Sequence, residues 1–312
     1  MVEFNHLHTH TEYSLLDGAN RIEEIAKTAK EYKQTSLAIT DHGNMFGALE
    51  HYNTCMKYGI KPIIGCEVYI AKYTHISKHT RNNSYNHLTL IASNLTGYKN
   101  LLKLTSLSFI EGLSNRPRIS WELLEQNHDG IMCLSGCLSS KLNELILEGK
   151  EKEALDFSTH LRDVFGKGNF WLEIQRNGLN IQNKATEGVM RIHQQTGIPY
   201  VATNDIHYHR QEDCDFQDTL LCINTGSKKS DTDRFRMDTS TLYLKSTEEM
   251  ANTFRDIPDA IKETAVISNK INLIIPQGKH IFPKSSYTNP NDSLTGITKQ
   301  ELIERAIDIA IY

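Results

Sequence analysis

Three of the chain's 14 histidines stand at alternate positions within the first ten residues, as His6, His8 and His10. Side chains repeat every two residues along a strand, so a strand ending in His8-Thr9-His10 would turn two imidazoles to one face, within reach of one metal ion. A lone His-x-His is equally consistent with two packed or solvated histidines. Here the same kinds of side chain recur further on, in Thr40-Asp41-His42-Gly43, Gly65-Cys66-Glu67, His87, Ser135-Gly136-Cys137 and Asn204-Asp205-Ile206-His207. Imidazole, carboxylate and thiolate are the groups that hold zinc-like divalent ions, so the chemistry to look for is that of a metal centre.

Such a centre needs elements that bring distant residues together. Short β-branched runs predict strands at 4–9, 36–41, 61–71, 87–93, 130–135, 170–175 and 200–205. Segments of helical period lie between them, at 21–33, 45–58, 98–111, 121–126, 138–147, 152–164 and 181–195. Alternating strands and helices predict an α/β fold around a mainly parallel sheet, and seven strands suggest a barrel. Active sites of parallel barrels gather at the carboxyl ends of the strands, where most of the candidate residues fall. His87 is the exception, because it opens its predicted strand. A short strand is expected at 242–245, a surface loop at 74–86 containing His75 and His79, a linker from 276 and a last helix over 299–312. That helix stops in mid-pattern, which predicts a longer parent protein.

Composition narrows the class. With 39% hydrophobic and 23% charged residues the chain reads as globular, and its 312 residues suit one large barrel with an appendage. No run approaches the ~20 apolar residues of a membrane span, and the first residues lack a signal-peptide plan, so a cytoplasmic protein without a membrane partner is expected. Six cysteines in so long a chain predict thiols or metal ligands rather than a disulfide framework. A net charge of −4 lacks the basic footprint of an autonomous DNA-binding domain, so any nucleic-acid contact must be local or assisted by metal.

Taken with their flanks, HLHTHTEYSLLDGA, AITDHGNMFGALEHY, GIKPIIGCEVYIA, HLTLIASN followed by GYKNLLKLTS, and VATNDIHY followed by LLCINTG resemble the PHP (polymerase and histidinol phosphatase) domain of bacterial replicative DNA polymerase III alpha subunits. The later YLKSTEEM and FRDIPDAIKET are similar to the same family, so the resemblance runs in order from about residue 4 to 272. It implies a distorted seven-stranded (β/α)7 barrel of PHP type with a C-terminal linker and helical extension: a metal-binding domain over 1–275, then a linker and the start of the polymerase region over 276–312. The ligands it implies are His8, His10, Asp17, His42, Glu67, His87, Cys137, Asp205 and His207, holding two to three divalent metals. All nine positions carry ligand-capable side chains. His6 and Asp41 become candidates to support the ligands, Asp41 by orienting His42. Glu173 becomes another, either facing the metals or buried and hydrogen-bonded.

Five imidazoles, three carboxylates and a thiolate suit zinc first and manganese second. Such a cluster activates water and neutralises phosphate oxygens without a protein nucleophile, which leads to metal-dependent phosphodiester hydrolysis at a DNA 3′ end, as in 3′–5′ exonuclease proofreading. The implied partners are DNA, the remainder of the polymerase alpha subunit, a proofreading exonuclease subunit and other replisome subunits. The parent would be a DNA-directed DNA polymerase, whose polymerase active site the resemblance places beyond this chain. The alternatives are a non-catalytic metal-stapled replisome module and a stand-alone PHP phosphatase. Lys228, Lys229, Arg234 and Arg236 form a local basic stretch that could touch a DNA backbone. Asp213-Cys214-Asp215 and Asp231-Thr232-Asp233 have the form of a polymerase metal pair but fall outside predicted strands, which argues for solvated loops.

Overall fold

The computed structural model describes residues 3–72, 76 and 84–278. Most of the expected loop at 74–86, with His75 and His79, lies outside the described residues, as does the helix expected at 299–312. Contacts divide the chain into Met1–Ile274 and Ile275–Tyr312, and of the second unit only residues 275–278 are described.

The strands are β1 (Ser36–Ile39), β2 (Lys61–Ala71), β3 (Tyr85–Ala92), β4 (Arg118–Ile119), β5 (Ile131–Leu134), β6 (Phe170–Gln175) and β7 (Tyr200–Thr203). They form one mixed sheet in the order β1-β2-β3-β5-β6-β7, with β4 paired to β2. The residues of β1, β5 and β6 are buried throughout, as strands covered on both faces must be. The sheet is less parallel than the sequence suggests, because β3 runs antiparallel to both β2 and β5.

Residues 4–10 join the two ends of this sheet. On one side the Ala38 and Thr40 N–H groups donate to the His6 and Thr9 carbonyls at 2.9 and 2.8 Å. On the other, His10 N–H donates to the Ile206 carbonyl at 2.8 Å and Ile206 N–H to the His8 carbonyl at 3.2 Å. The strand expected at 4–9 is therefore the stave that closes the α/β barrel, but it is reduced to isolated bridges. Side chains take over its ladder: Asn5 Oδ1 accepts from the Thr35 and Ser36 N–H groups at 3.0 and 2.9 Å, and Thr40 Oγ1 from Thr9 N–H at 2.8 Å. The expected strand at 242–245 is likewise one bridge, Tyr208 to Tyr243.

Helices cover the outside. In α1 (Ile22–Glu31) the buried Ile22, Ile25, Ala26 and Ala29 follow the i, i+3, i+4, i+7 spacing of an inward face. Ile25, Ala26 and Ala29 pack with Cys55 of α2 (Ala48–Tyr58) on Leu37 of β1. The helix expected from 138 starts later, as α3 (Lys141–Leu147), because Ser140 caps it by accepting from Asn143 N–H. That delay leaves residues 136–139 as a loop, and Gly136 at φ 89° turns the chain into it.

Candidate metal centre

The nine positions come together at one rim of the barrel. His8 and His10 arrive on the closing segment, Asp17 on the loop after it, His42 just beyond β1, Glu67 from β2, His87 from β3, Cys137 beyond β5, and Asp205 and His207 beyond β7. The antiparallel course of β3 explains His87: its amino end lies beside the carboxyl end of β5, with Thr89 opposite Leu134. Asp205 has φ 53°, the left-handed region that Asp enters more readily than most residues. The turn it makes is tied by His207 Nδ1 donating to the Asp205 carbonyl at 2.8 Å.

Glu67 sits between the imidazoles. Its Oε1 lies 3.4 Å from His8 Nε2 and 3.2 Å from His87 Nδ1, and its Oε2 lies 2.8 Å from His42 Nδ1 and 3.5 Å from His10 Nε2. Asp205 Oδ1 approaches His10 Nε2 to 3.2 Å and His8 Nε2 to 3.4 Å. Asp17 Oδ2 is 3.3 Å from His42 Nε2, and Cys137 Sγ 3.6 Å from His87 Nδ1. Three overlapping sets could each hold an ion: His10, His42 and His207; His8, His10 and Glu67; and His42, Glu67 and His87.

The donor atoms point at shared space rather than at each other. His8 Nε2, His10 Nε2, Asp17 Oδ1, His42 Nδ1, both Glu67 oxygens, Asp205 Oδ1 and His207 Nε2 are buried without a hydrogen-bond partner. Leaving so many buried polar atoms unmade is expensive, and divalent ions would satisfy them together. The residues fit a metal centre.

The buried charges of the cluster offset one another. Burial alone would raise the Glu67 carboxyl, but the imidazoles of His87, His8 and His42 outweigh it and hold it well below the usual range. Burial disfavours charge on His8 and His42 too, yet Glu173, Asp205 and Glu67 around His8, and Asp17, Tyr69 and Glu67 around His42, carry both well above the usual imidazole value. His10 goes the other way, down to about 3, through burial and the neighbouring His42 and His207. Burial and the Glu67 and Asp205 carboxylates push the Cys137 thiol well up.

Supporting contacts sit behind the donors. Glu173 Oε1 meets His8 Nδ1 at 2.6 Å and accepts from Thr203 Oγ1 and Gln175 Nε2. Glu173 is thus a buried, hydrogen-bonded carboxylate that turns His8 Nε2 toward the cluster, the arrangement that orients metal-binding histidines. Asp41 supports His10 rather than the His42 ring: it accepts from Thr11 N–H and from Ser14 Oγ, and Ser14 Oγ lies 3.0 Å from His10 Nδ1. His6 Nε2 donates to the Lys245 carbonyl, 2.8 Å away, and its ring packs edge-on to Phe4. Ser14, Thr203 and the Gly136 N–H were not singled out by sequence; hydroxyl and glycine carry no ligand signature, and only Ser14's place four residues after His10 hints at its role.

A cleft of about 400 Å³ opens over the centre, lined on one side by Asp17, His42, Glu67, His87, Cys137, Asp205 and His207. Of the four basic residues expected at DNA, Arg236 lines this cleft. Arg234 does not serve as a free cation: its guanidinium makes a bidentate pair with Asp218 at 2.6 and 2.7 Å. Lys229 pairs with Asp215, and Lys228 is exposed, its backbone N–H on Asp231. Asp213, Asp215 and Asp231 of the two Asp-x-Asp pairs therefore make local contacts, Asp213 by accepting from the Arg210 N–H.

The chain belongs to the PHP domain family, whose sequence pattern matches residues 6–177. Its relatives are more particular. It is 43% identical to DNA polymerase III subunit alpha of Treponema pallidum over 284 residues, 90% of this chain and 24% of that protein. The same subunit of Borreliella burgdorferi is 44% identical over 270 residues, 86% of this chain and 23% of that protein. That of Campylobacter jejuni is 39% identical over 298 residues, 92% of this chain and 25% of that protein. The chain spans about a quarter of the length of the curated relatives it matches. Among the described residues no helix is long and apolar enough to cross a membrane.

Proposed function

We propose that this chain is the metal-dependent phosphodiesterase part of a bacterial replicative polymerase alpha subunit, acting on the 3′-terminal phosphodiester of DNA as a proofreading 3′–5′ exonuclease. The observation that carries it is the set of eight buried donor atoms without hydrogen-bond partners at the floor of an open cleft. Two to three divalent ions, zinc first and manganese second, would be held by the nine residues, where they would lower the pKa of water and neutralise phosphate charge.

The protein's own part is preorganisation. Glu173 and Ser14 fix the Nδ1 atoms of His8 and His10 and leave their Nε2 atoms aimed inward. Glu67 supplies two oxygens to four imidazoles, and the cleft above them carries an apolar wall on one side. On this reading the remaining polymerase, DNA, a proofreading exonuclease subunit and other replisome subunits are the partners, the cytoplasm is the location, and residues 1–275 are the metal-binding domain.

A structural centre that only staples the barrel is the second reading, favoured by the full burial of His8, His10 and Glu67. Access separates the two, because catalysis needs an open coordination position. The side chains of Asp17, His42, His87 and Asp205 keep 12–15% of their surface exposed toward the cleft, which favours turnover.

The test pairs metal content with digestion of 3′-labelled single-stranded DNA in the wild type and in the Asp205→Asn, His207→Ala double variant. Asn tolerates the left-handed backbone at 205, and circular dichroism checks that the variant is folded. Loss of metal and digestion together supports the nuclease; metal in the wild type with equal background digestion in both replaces it with the stapled docking module.

A further inference from the structure

We infer that the apolar half of the cleft seats the terminal base of an unpaired DNA 3′ end, with Phe235 stacked on the base and Arg236 against the phosphate beside it. The inference rests on the proposed nuclease reading and names the substrate state that site selects.

The wall facing the metal-binding residues combines Phe235, Met237, Leu179 and Ile181 with Arg236 as its cation. Phe235 is 60% and Ile181 48% exposed, so large apolar surface faces the cleft instead of the core. A ring and a guanidinium in succession, opposite a cluster built for phosphate, match the two parts of a nucleotide: a flat apolar base and a charged diester. The volume of about 400 Å³ lies within the ~300–1,000 Å³ usual for small-ligand sites, room for a terminal nucleotide and not for a duplex.

The segment is held in place for this role. Arg234 anchors its start through the bidentate pair with Asp218. Thr239 and Thr241 anchor its end by donating to the Asn177 carbonyl at 2.6 and 3.2 Å. Asn177 in turn donates to Asn204 Oδ1 at 3.0 Å, next to Asp205. Phe235 and Arg236 are therefore tied to the same framework as the donors across the cleft. A paired terminal base is already stacked and hydrogen-bonded within its duplex, so only a frayed, mismatched or single-stranded end reaches the ring without that loss.

The experiment measures binding of a fluorescent, phosphorothioate-linked short oligothymidylate, which resists hydrolysis, and of the same probe ending in a 3′ abasic nucleotide. Phe235→Ala is expected to weaken binding of the base-bearing probe by about 5- to 100-fold and to leave the abasic probe unchanged. Arg236→Ala is expected to weaken both. Phe216→Ala, which removes an equally exposed ring outside the cleft (58% exposed), is the control expected to change neither. No binding by the wild type, no effect of Phe235→Ala, or an equal loss on both probes overturns the inference. Digestion of ordinary single-stranded DNA is scored separately: the expected binding pattern without digestion keeps the base seat and removes the nuclease, whereas digestion with an unaffected Phe235→Ala removes the base seat and keeps the nuclease.

Discussion

Glu173 Oε1 lies 2.6 Å from His8 Nδ1, with both side chains fully removed from solvent. The carboxylate comes from β6 and the imidazole from the segment that closes the barrel, so a buried ionic contact fixes the direction of the first donor. Glu173 is held in turn by Thr203, Gln175 and the Gly136 N–H, which lets it orient the ring without moving.

Glu173→Gln is therefore expected to fold and to bind metal about 10- to 100-fold more weakly, the usual effect of losing such an orienting partner. Chelator competition on the purified variant, with circular dichroism as the fold check, measures it. Unchanged affinity would show that His8 needs no partner.

Ser14→Ala is expected to act on the second donor. The hydroxyl links Asp41, His10 and the His42 N–H, so its loss leaves buried polar groups unmatched at a cost of about 1–3 kcal/mol each. Denaturant titration should show that destabilisation, together with weaker metal binding. A change in stability alone would assign Ser14 to the fold and not to the centre.

Metal removal should destabilise the barrel, since the donor atoms would again lack partners. At free metal about 100 times the dissociation constant the gain is ~2.7 kcal/mol, or roughly 5–10 °C in midpoint. Calorimetry before and after chelation reads it directly. An equal midpoint in both forms would mean that the centre binds no metal.

His51 supplies a pH dependence separate from the centre. Burial, only partly opposed by the Leu37 carbonyl on its Nε2, lowers its pKa to about 4. The unfolded chain takes up this proton near pH 6.5 and the folded chain does not, so stability is intact above pH 6.5 and is lost as pH falls toward 4. By pH 5 the loss is roughly 2 kcal/mol. His51→Gln should lose correspondingly less stability between pH 7 and pH 5; parallel losses would count against it.

Salt dependence separates the two arginines. Arg236→Ala should lower the slope of log affinity against log salt for single-stranded DNA by about 0.7, the value of one phosphate contact. Arg234→Ala should leave the slope alone, because its guanidinium is already paired with Asp218.

Much of this was legible in sequence because the fold is built from repeated local units. β2 and β6 have the bounds that the apolar runs predict, 61–71 and 170–175. His8 with His10, and Asp205 with His207, are readable as pairs at alternate positions. Strand direction is not written in such patterns, which is why His87 looked misplaced until β3 proved antiparallel. The closing segment was legible as apolar alternation, but not as a strand whose ladder is made by Asn5 and Thr40 side chains. Arg234 read as a candidate DNA contact because its partner, Asp218, lies 16 residues away on α4 (Cys214–Thr225).

The segment that closes the barrel also carries His8 and His10, while the last pair of candidate donors stands at 205 and 207. A nascent chain emerging from the ribosome amino end first therefore has residues 4–10 waiting for nearly two hundred more before the ring can shut. Metal uptake would then report completed synthesis of the barrel, and a chain cut short before residue 205 would lack both the closure and the full donor set.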